Sequence, residues 1–260
     1  MNRNLLLPRE KYKDEMGKQG PGSFTFEINN DKQRLFYFGA NHSLDPDNSQ
    51  YLALRKYWEQ FLKMTGRNRL VLVEGTLRGL AKDEETAIKS GAEGNFITLL
   101  AHQAGVPVAC PDISTEEFIK IRPDISMDGA ILLIFLRWVD SFGRRAEPKP
   151  NFTESFKKWI ESQNKKELFK DVSISLERFK GLYKKYIGKD FNEKEDQNYL
   201  INPNNTGTIV NETAREHSDA REIKIVSEIE KYWKERKNIF VVFGSGHLII
   251  QRPALESLLK

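Results

Sequence analysis

Four side chains able to bind a metal or move a proton follow apolar runs in this 260-residue chain. His42 ends Gly39-Ala-Asn-His42, and Glu74 follows Leu70-Val-Leu-Val73. Asp112 comes two residues after Val106-Pro-Val-Ala-Cys110, and His247 ends Gly244-Ser-Gly-His247. Neutral imidazole and carboxylate together suit a divalent transition metal (Mn, Fe, Co or Zn) better than calcium. An ion held this way acidifies water and polarises a carbonyl, and a carboxylate off the metal can act as general base. The chain has only 4 histidines, and two of them share the Gly-X-X-His setting. Gly39, Gly244 and Gly246 are expected to permit positive φ and close backbone approach where each strand turns.

Each group also has a structural alternative. A lone histidine is more often a satisfied packing residue. Glu74 after an apolar run needs a partner, because an unpaired buried carboxylate is costly, and a salt bridge to Arg78 or Arg221 would supply one. Asp112 is equally suited to capping a turn or the helix near Thr115. His102 lies in a helical pattern and reads as structural. His217, beside Arg215 and Glu216, stays open as a further candidate.

Positioning these groups falls to strands. Ser23 to Ile28 alternates apolar and polar residues, and Arg34 to Phe38 follows Asn29-Asn30-Asp31, so the two predict a hairpin. Leu70 to Val73, Val106 to Cys110 and Ile239 to Phe243 lack polar alternation, as expected of strands covered on both faces. Helical spacing runs through Tyr51, Leu54, Trp58, Phe61 and Leu62, with Asp47 or Asn48 to cap it and Gly66 to end it. A second helix is expected over Asn95 to Ala104, and a third over Glu212 to Arg236 through Ile225, Ile229 and Trp233. Strand, helix and strand with short joints predict parallel βαβ units. The expected fold is α/β, with a central largely parallel sheet and an N-terminal hairpin. If the strands neighbour one another, the four polar groups meet at their carboxyl ends, where open sheets bind ligands.

The alternation stops between Ile113 and about Asn211. Asp124 to Phe142 reads as a buried helix, and Phe169, Val172, Leu176, Phe179, Tyr183 and Tyr186 form a long stripe. Basic side chains outnumber acidic ones over 149–195, which reads as a solvated face or as a lid or partner surface. The expected organisation is an N-terminal extension over 1–22 and one α/β domain over 23–260, with a helical excursion at about 124–211. Asn202-Pro-Asn-Asn-Thr-Gly207 reads as a turn-rich loop.

Composition narrows the classes. Charged residues make up 30% and aromatics 11%, as in a globular enzyme. The net charge of +4 is small for a nucleic-acid binder. The single cysteine, Cys110, excludes an internal disulfide or a thiolate cluster and reads as a buried structural thiol. Leu5-Leu6-Leu7 before Pro8 is too short for a signal-peptide core, and Ala130 to Val139 falls short of the roughly 20 residues of a membrane span. The expected setting is cytoplasmic. Gly244-Ser-Gly-His247 lacks the third glycine of a dinucleotide loop, and Ser245 lacks the flanking glycines of a nucleophile elbow.

Gly39-Ala-Asn-His42, Val71-Leu-Val-Glu74, Asp112 with Thr115, Ala220-Arg-Glu-Ile-Lys-Ile225 and Val241-Val-Phe-Gly-Ser-Gly-His-Leu248 resemble, in order, the TraB/PrgY/GumN and TIKI family. That family belongs to the erythromycin esterase and ChaN-like superfamily. The resemblance spans roughly 34–122 and 212–258. It implies an EreA/ChaN-like fold, a site shared by both histidine motifs and, in the TIKI branch, metal-dependent proteolysis. It puts His42, Glu74 and His247 in the family's core positions and Arg221 in that of its helix arginine. The chain departs from the pattern at Glu222, where Asp or Asn is frequent, and at Ile225, where Met is usual. Glu74-Gly75-Thr76 also replaces the Glu-Leu-Asp of the bacterial branch.

The expected function is a metal-dependent hydrolase of an amide or ester bond in a peptide or small molecule. His42, His247 and Glu74 would bind the ion, with Glu74 alternatively the base. Asp112 would add a ligand or an orienting group, and Arg221 would clamp substrate or transition state. Two alternatives remain: a non-catalytic protein holding a peptide or haem on the same scaffold, and an acid/base enzyme needing no metal.

Overall fold

The computed structural model of the protein describes residues 3–19, 24–30, 32–77, 79–143, 150–169, 172 and 174–260. Met1–Ile113 with Arg221–Lys260 makes one compact unit, and Ser114–Ala220 a second. The first holds α1 (Tyr12–Gln19), β1 (Phe24–Asn29), β2 (Arg34–Ala40), α2 (Gln50–Met64), β3 (Arg69–Val73), α3 (Glu84–Gln103) and β4 (Val108–Ala109). The second holds α4 (Thr115–Ile121), α5 (Met127–Gly143), α6 (Phe152–Asn164), α7 (Leu176–Ile187) and α8 (Asn198–Ile201). The division falls within α9 (Ile209–Lys234), after which β5 (Asn238–Gly244) and α10 (Ser245–Leu258) complete the first unit.

The chain is α/β, with one mixed five-stranded sheet in the order β1-β2-β5-β3-β4. β1 and β2 form the expected antiparallel hairpin, paired from Phe24 with Gly39 to Asn29 with Arg34. Asn30 Oδ1 accepts the amide protons of Lys32 and Gln33, the side-chain turn chemistry that asparagine favours. Ser23 and Asp31, assigned to this hairpin from sequence, lie outside the described residues. β2, β5, β3 and β4 run parallel, with β5 inserted between two strands that precede it in the chain. The crossing from β2 over β5 to β3 makes a switch point, and the carboxyl ends of these strands share one rim.

Side chains alternate between two cores with the two-residue period of a strand. Phe36, Phe38, Ala40, Val71, Val73, Phe240 and Val242 pack against α2 and α3. Leu35, Tyr37, Leu70, Leu72, Ile239, Val241 and Phe243 pack against α9 and α10, and Leu6 from the N-terminal segment joins them. All seven residues of β5 are buried, which explains its unbroken apolar run.

Several expectations need correction. β4 is two half-buried residues, not a covered strand over Val106 to Cys110. It is an edge strand flanked by Pro107 and Pro111, which have no N–H to give to a ladder. Accordingly Cys110 is only partly buried. α3 begins at Glu84, well before Asn95, because Asp83 caps it by accepting from Thr86 N. It then bends at Gly91 and Ala92. α2 stops at Met64 rather than at Gly66, and Asn48 Oδ1 accepts from Gln50 N at its start. The stripe from Phe169 to Tyr186 is not one helix: a short turn at Glu167–Phe169 precedes α7, which Ser175 caps.

In the second unit, Leu132, Phe135, Leu136, Phe156, Phe179 and Tyr183 form the centre of an aromatic-rich core. Phe118 and His217 meet edge to face with ring centroids 5.0 Å apart, and His217 Nδ1 lies 3.2 Å from an Arg137 guanidinium nitrogen. Among the described residues, no helix is long and apolar enough to cross a membrane.

Candidate active site at the carboxyl rim

Gly244, at the end of central β5, is the hub of the rim. Its N–H donates to Glu74 Oε2 at 2.8 Å. A Cβ placed on it would meet His42 Nε2 at 2.5 Å and Glu74 Oε2 at 3.4 Å. Glycine is therefore needed here for space. The expected positive φ is not found, since Gly244 has φ −54, and neither Gly39 nor Gly246 is among the glycines with positive φ. The left-handed backbone belongs instead to Gly75, at φ 86, and to His42 itself, at φ 39. A positive φ at a non-glycine residue is uncommon, and such strain persists only where neighbours over-determine it.

His42, Glu74, Asp112, His247 and Arg221 are brought together. His247 Nε2 lies 3.2 Å from Glu74 Oε1, and His42 Nε2 lies 3.5 Å from Glu74 Oε2. Arg221 Nη2 donates to Glu74 Oε1 at 3.1 Å. The same guanidinium grips Asp112 with both arms of its fork, Nε to Oδ1 at 2.7 Å and Nη2 to Oδ2 at 2.6 Å. Asp112 also accepts from Gly75 N at 3.3 Å and Ile113 N at 2.9 Å. It does not cap α4, because Ser114 and Glu117 form that capping box. Arg221 is thus paired with Glu74, one of the two salt bridges expected for it, and Arg78 lies outside the described residues.

Two further carboxylates back the rings. Glu93, 2% exposed, accepts the Ser43 amide proton at 2.9 Å and faces His42 Nδ1 at 3.2 Å. Glu222, 1% exposed, lies 2.8 Å from His247 Nδ1 in an ion-pair contact. Gln251 Nε2 donates to Glu222 Oε2 at 2.7 Å, and Gln251 Oε1 accepts from Tyr37 Oη at 3.0 Å. Neither glutamate was singled out from sequence as a site residue. Glu93 precedes Phe96, Ile97 and Leu100 at helical spacing, and Glu222 precedes Ile225, Val226 and Ile229 likewise. A carboxylate on an apolar stripe must have a buried partner, and that was the available signal.

The electrostatics follow from this crowding. Burial opposes ionisation of Glu74, but His247, Arg221 and His42 outweigh it and hold the carboxyl well below its usual range. Burial also opposes charge on His247, yet Glu222 and Glu74 push the ring up to about 10. The hydrogen bond to Glu93 raises His42 against a smaller cost of burial. His42 is the open member, with 59% of its side chain exposed against 13% for His247. His102 is exposed on α3, away from these contacts, and His217 belongs to the second unit.

The donor types fit a divalent transition ion. Both imidazoles turn Nε2 toward one carboxylate, and each has Nδ1 against a buried carboxylate, the outer-shell pattern that orients metal-binding histidines. Among the described residues, however, no group of three or more His, Cys, Asp or Glu stands ready-made to hold an ion. The fit therefore lies in donor chemistry and second-shell support rather than in a preformed cage. Fold and site together define an α/β chain with a histidine–carboxylate–arginine centre at its switch point. No family model, curated protein or solved structure matches the chain.

Proposed function

We propose that this protein is a metal-dependent hydrolase of amide or ester bonds in a peptide or small molecule. On this reading it is a relative of the TraB/PrgY/GumN and TIKI proteins with an EreA/ChaN-like fold. The observation that carries the proposal is the pair of imidazoles aimed at Glu74, each backed by its own buried carboxylate. His42, His247 and Glu74 would hold the ion, which when bound supplies Lewis-acid polarisation of the scissile carbonyl and acidification of water.

The chain's own groups account for the rest. Glu74 is kept ionised, as a ligand or a proton acceptor must be, and Gly244 N–H fixes one of its oxygens. Asp112 has both oxygens on Arg221, so its role is to orient that guanidinium rather than to add a ligand. Arg221 holds Glu74 in place and brings positive charge to the rim, where developing negative charge on the substrate would be stabilised. His42 is exposed enough to touch substrate.

The test is to load purified protein with Mn, Co, Fe or Zn and to measure binding stoichiometry and hydrolysis of a peptide and ester panel. Wild type should bind one ion tightly and turn over at least one substrate. His42→Ala and His247→Ala should lose both properties, and wild type indistinguishable from either variant would end the proposal. One observation favours a second reading, acid/base hydrolysis without metal: Glu74 already contacts proton-bearing groups on His247, Arg221 and Gly244. That reading predicts turnover that survives chelation.

A further inference from the structure

Glu93 stands just past the bend of α3, on a helix that supplies none of the four strand-end groups. Its two oxygens have separate tasks. Oε1 accepts from Ser43 N at 2.9 Å, and Oε2 faces His42 Nδ1 at 3.2 Å. One carboxylate therefore holds both the ring of His42 and the backbone directly after it, where the chain takes its left-handed turn at φ 39. Tyr51 Oη also donates to Ser43 O, so Ser43, the residue after His42, is held at both its N–H and its carbonyl.

A neutral imidazole has one proton for two nitrogens, and the partner of one nitrogen decides the state of the other. Two carboxylates compete for that proton on His42. Glu93 Oε2 is at hydrogen-bond distance from Nδ1 and fully buried, whereas Glu74 Oε2 is 3.5 Å from Nε2 and already accepts from Gly244 N. The nearer acceptor, with no second donor on that oxygen among the described residues, wins.

We infer that Glu93 is a positioning residue that fixes His42 as its Nδ1–H tautomer and so turns the Nε2 lone pair toward Glu74 and His247. The role is distinct from ligation, since Glu93 acts through the ring. Its value to the enzyme rests on the metal-dependent reading, but the tautomer assignment does not.

Glu93→Gln makes the inference sharp because it preserves shape. The amide oxygen must stay on Ser43 N–H, since an amide N–H placed there would face another donor. The NH2 group then faces His42 Nδ1, which has to accept, and the proton moves to Nε2. Long-range 1H–15N NMR of the imidazoles, recorded on the high-pH limb where the ring is neutral, reads this directly. The expected result is Nδ1–H in wild type and Nε2–H in Glu93→Gln. Zinc titration of the two proteins should show about 10- to 100-fold weaker binding by the variant, the usual cost of losing an outer-shell partner.

An Nε2–H wild-type ring overturns the inference whether or not the variant folds. A ring that keeps Nδ1–H in both proteins, with equal zinc affinity, overturns it as well. A tautomer flip with no zinc bound by either protein upholds Glu93 as the positioning group and defeats the metal-dependent reading instead.

Discussion

At the scale of single residues, the rim is organised by one missing side chain. Gly244 has φ −54 and ψ 145, a conformation open to any residue, so Gly244→Ala strains no backbone. The added methyl would nevertheless occupy the place of His42 Nε2, 2.5 Å away, and the ring would have to swing out. We expect Gly244→Ala to fold, with about 1–3 kcal/mol lost to overpacking. Metal binding and turnover should fall by about 100-fold, because displacements of an ångström at a reacting group have that effect. Urea denaturation alongside zinc titration checks both halves, and an unchanged zinc affinity would contradict the assignment of His42. Both Gly-X-X-His motifs were legible in the sequence, and so was the strand-end position of Glu74. Close approach was one of the two reasons expected for the glycine, but that it makes room for His42 was not legible, because this depends on which strands are neighbours.

At the scale of elements, α3 shows where one-dimensional reading fails. Its apolar spacing from Phe96 onward is clear, but the helix begins a dozen residues earlier and bends at Gly91 and Ala92. Ala92 sits at φ 50 and ψ −142, a region that is essentially glycine's own and costs of order 1–3 kcal/mol for another residue. The bend immediately precedes Glu93 and sets the helical stripe that carries it inward. Ala92→Gly should therefore raise stability by about 1 kcal/mol, after the larger unfolded-state entropy of glycine is set against the relief of strain. A rise in the urea midpoint with unaltered His42 NMR signals is the expected outcome, and a lower midpoint would refute the claim of strain. β4 fails as a sequence assignment for a different reason. Its branched residues resemble a covered strand, but prolines on either side leave it two residues at the sheet edge.

At the scale of the whole molecule, the chain has two compact units with separate cores. Each contains two tryptophans, Trp58 and Trp233 in the first and Trp138 and Trp159 in the second. Phe135 is 1% exposed and meets Phe156 edge to face with centroids 4.8 Å apart. Phe135→Ala should cost about 3–5 kcal/mol, the usual range for emptying a phenylalanine site in a core. We expect the loss to lower the unfolding midpoint reported by Trp138 and Trp159 more than that reported by Trp58 and Trp233. Single-tryptophan variants followed by fluorescence separate the two, and equal shifts would show one cooperative unit.

What the sequence by itself determined is local. The apolar runs of β2, β3 and β5, the hairpin turn at Asn30 and the helical stripe of α2 all follow from side-chain period and turn chemistry, which act over a few residues. The placing of His42, Glu74, Asp112 and His247 after such runs belongs to the same level. Tertiary structure alone decided that β5 lies between β2 and β3, that Arg221 joins Asp112 to Glu74, and that Glu93 and Glu222 stand behind the two rings. Those pairings connect residues dozens to more than a hundred positions apart. Burial, which raises the cost of any unpaired charge, selects them only once the whole sheet and its helices have assembled.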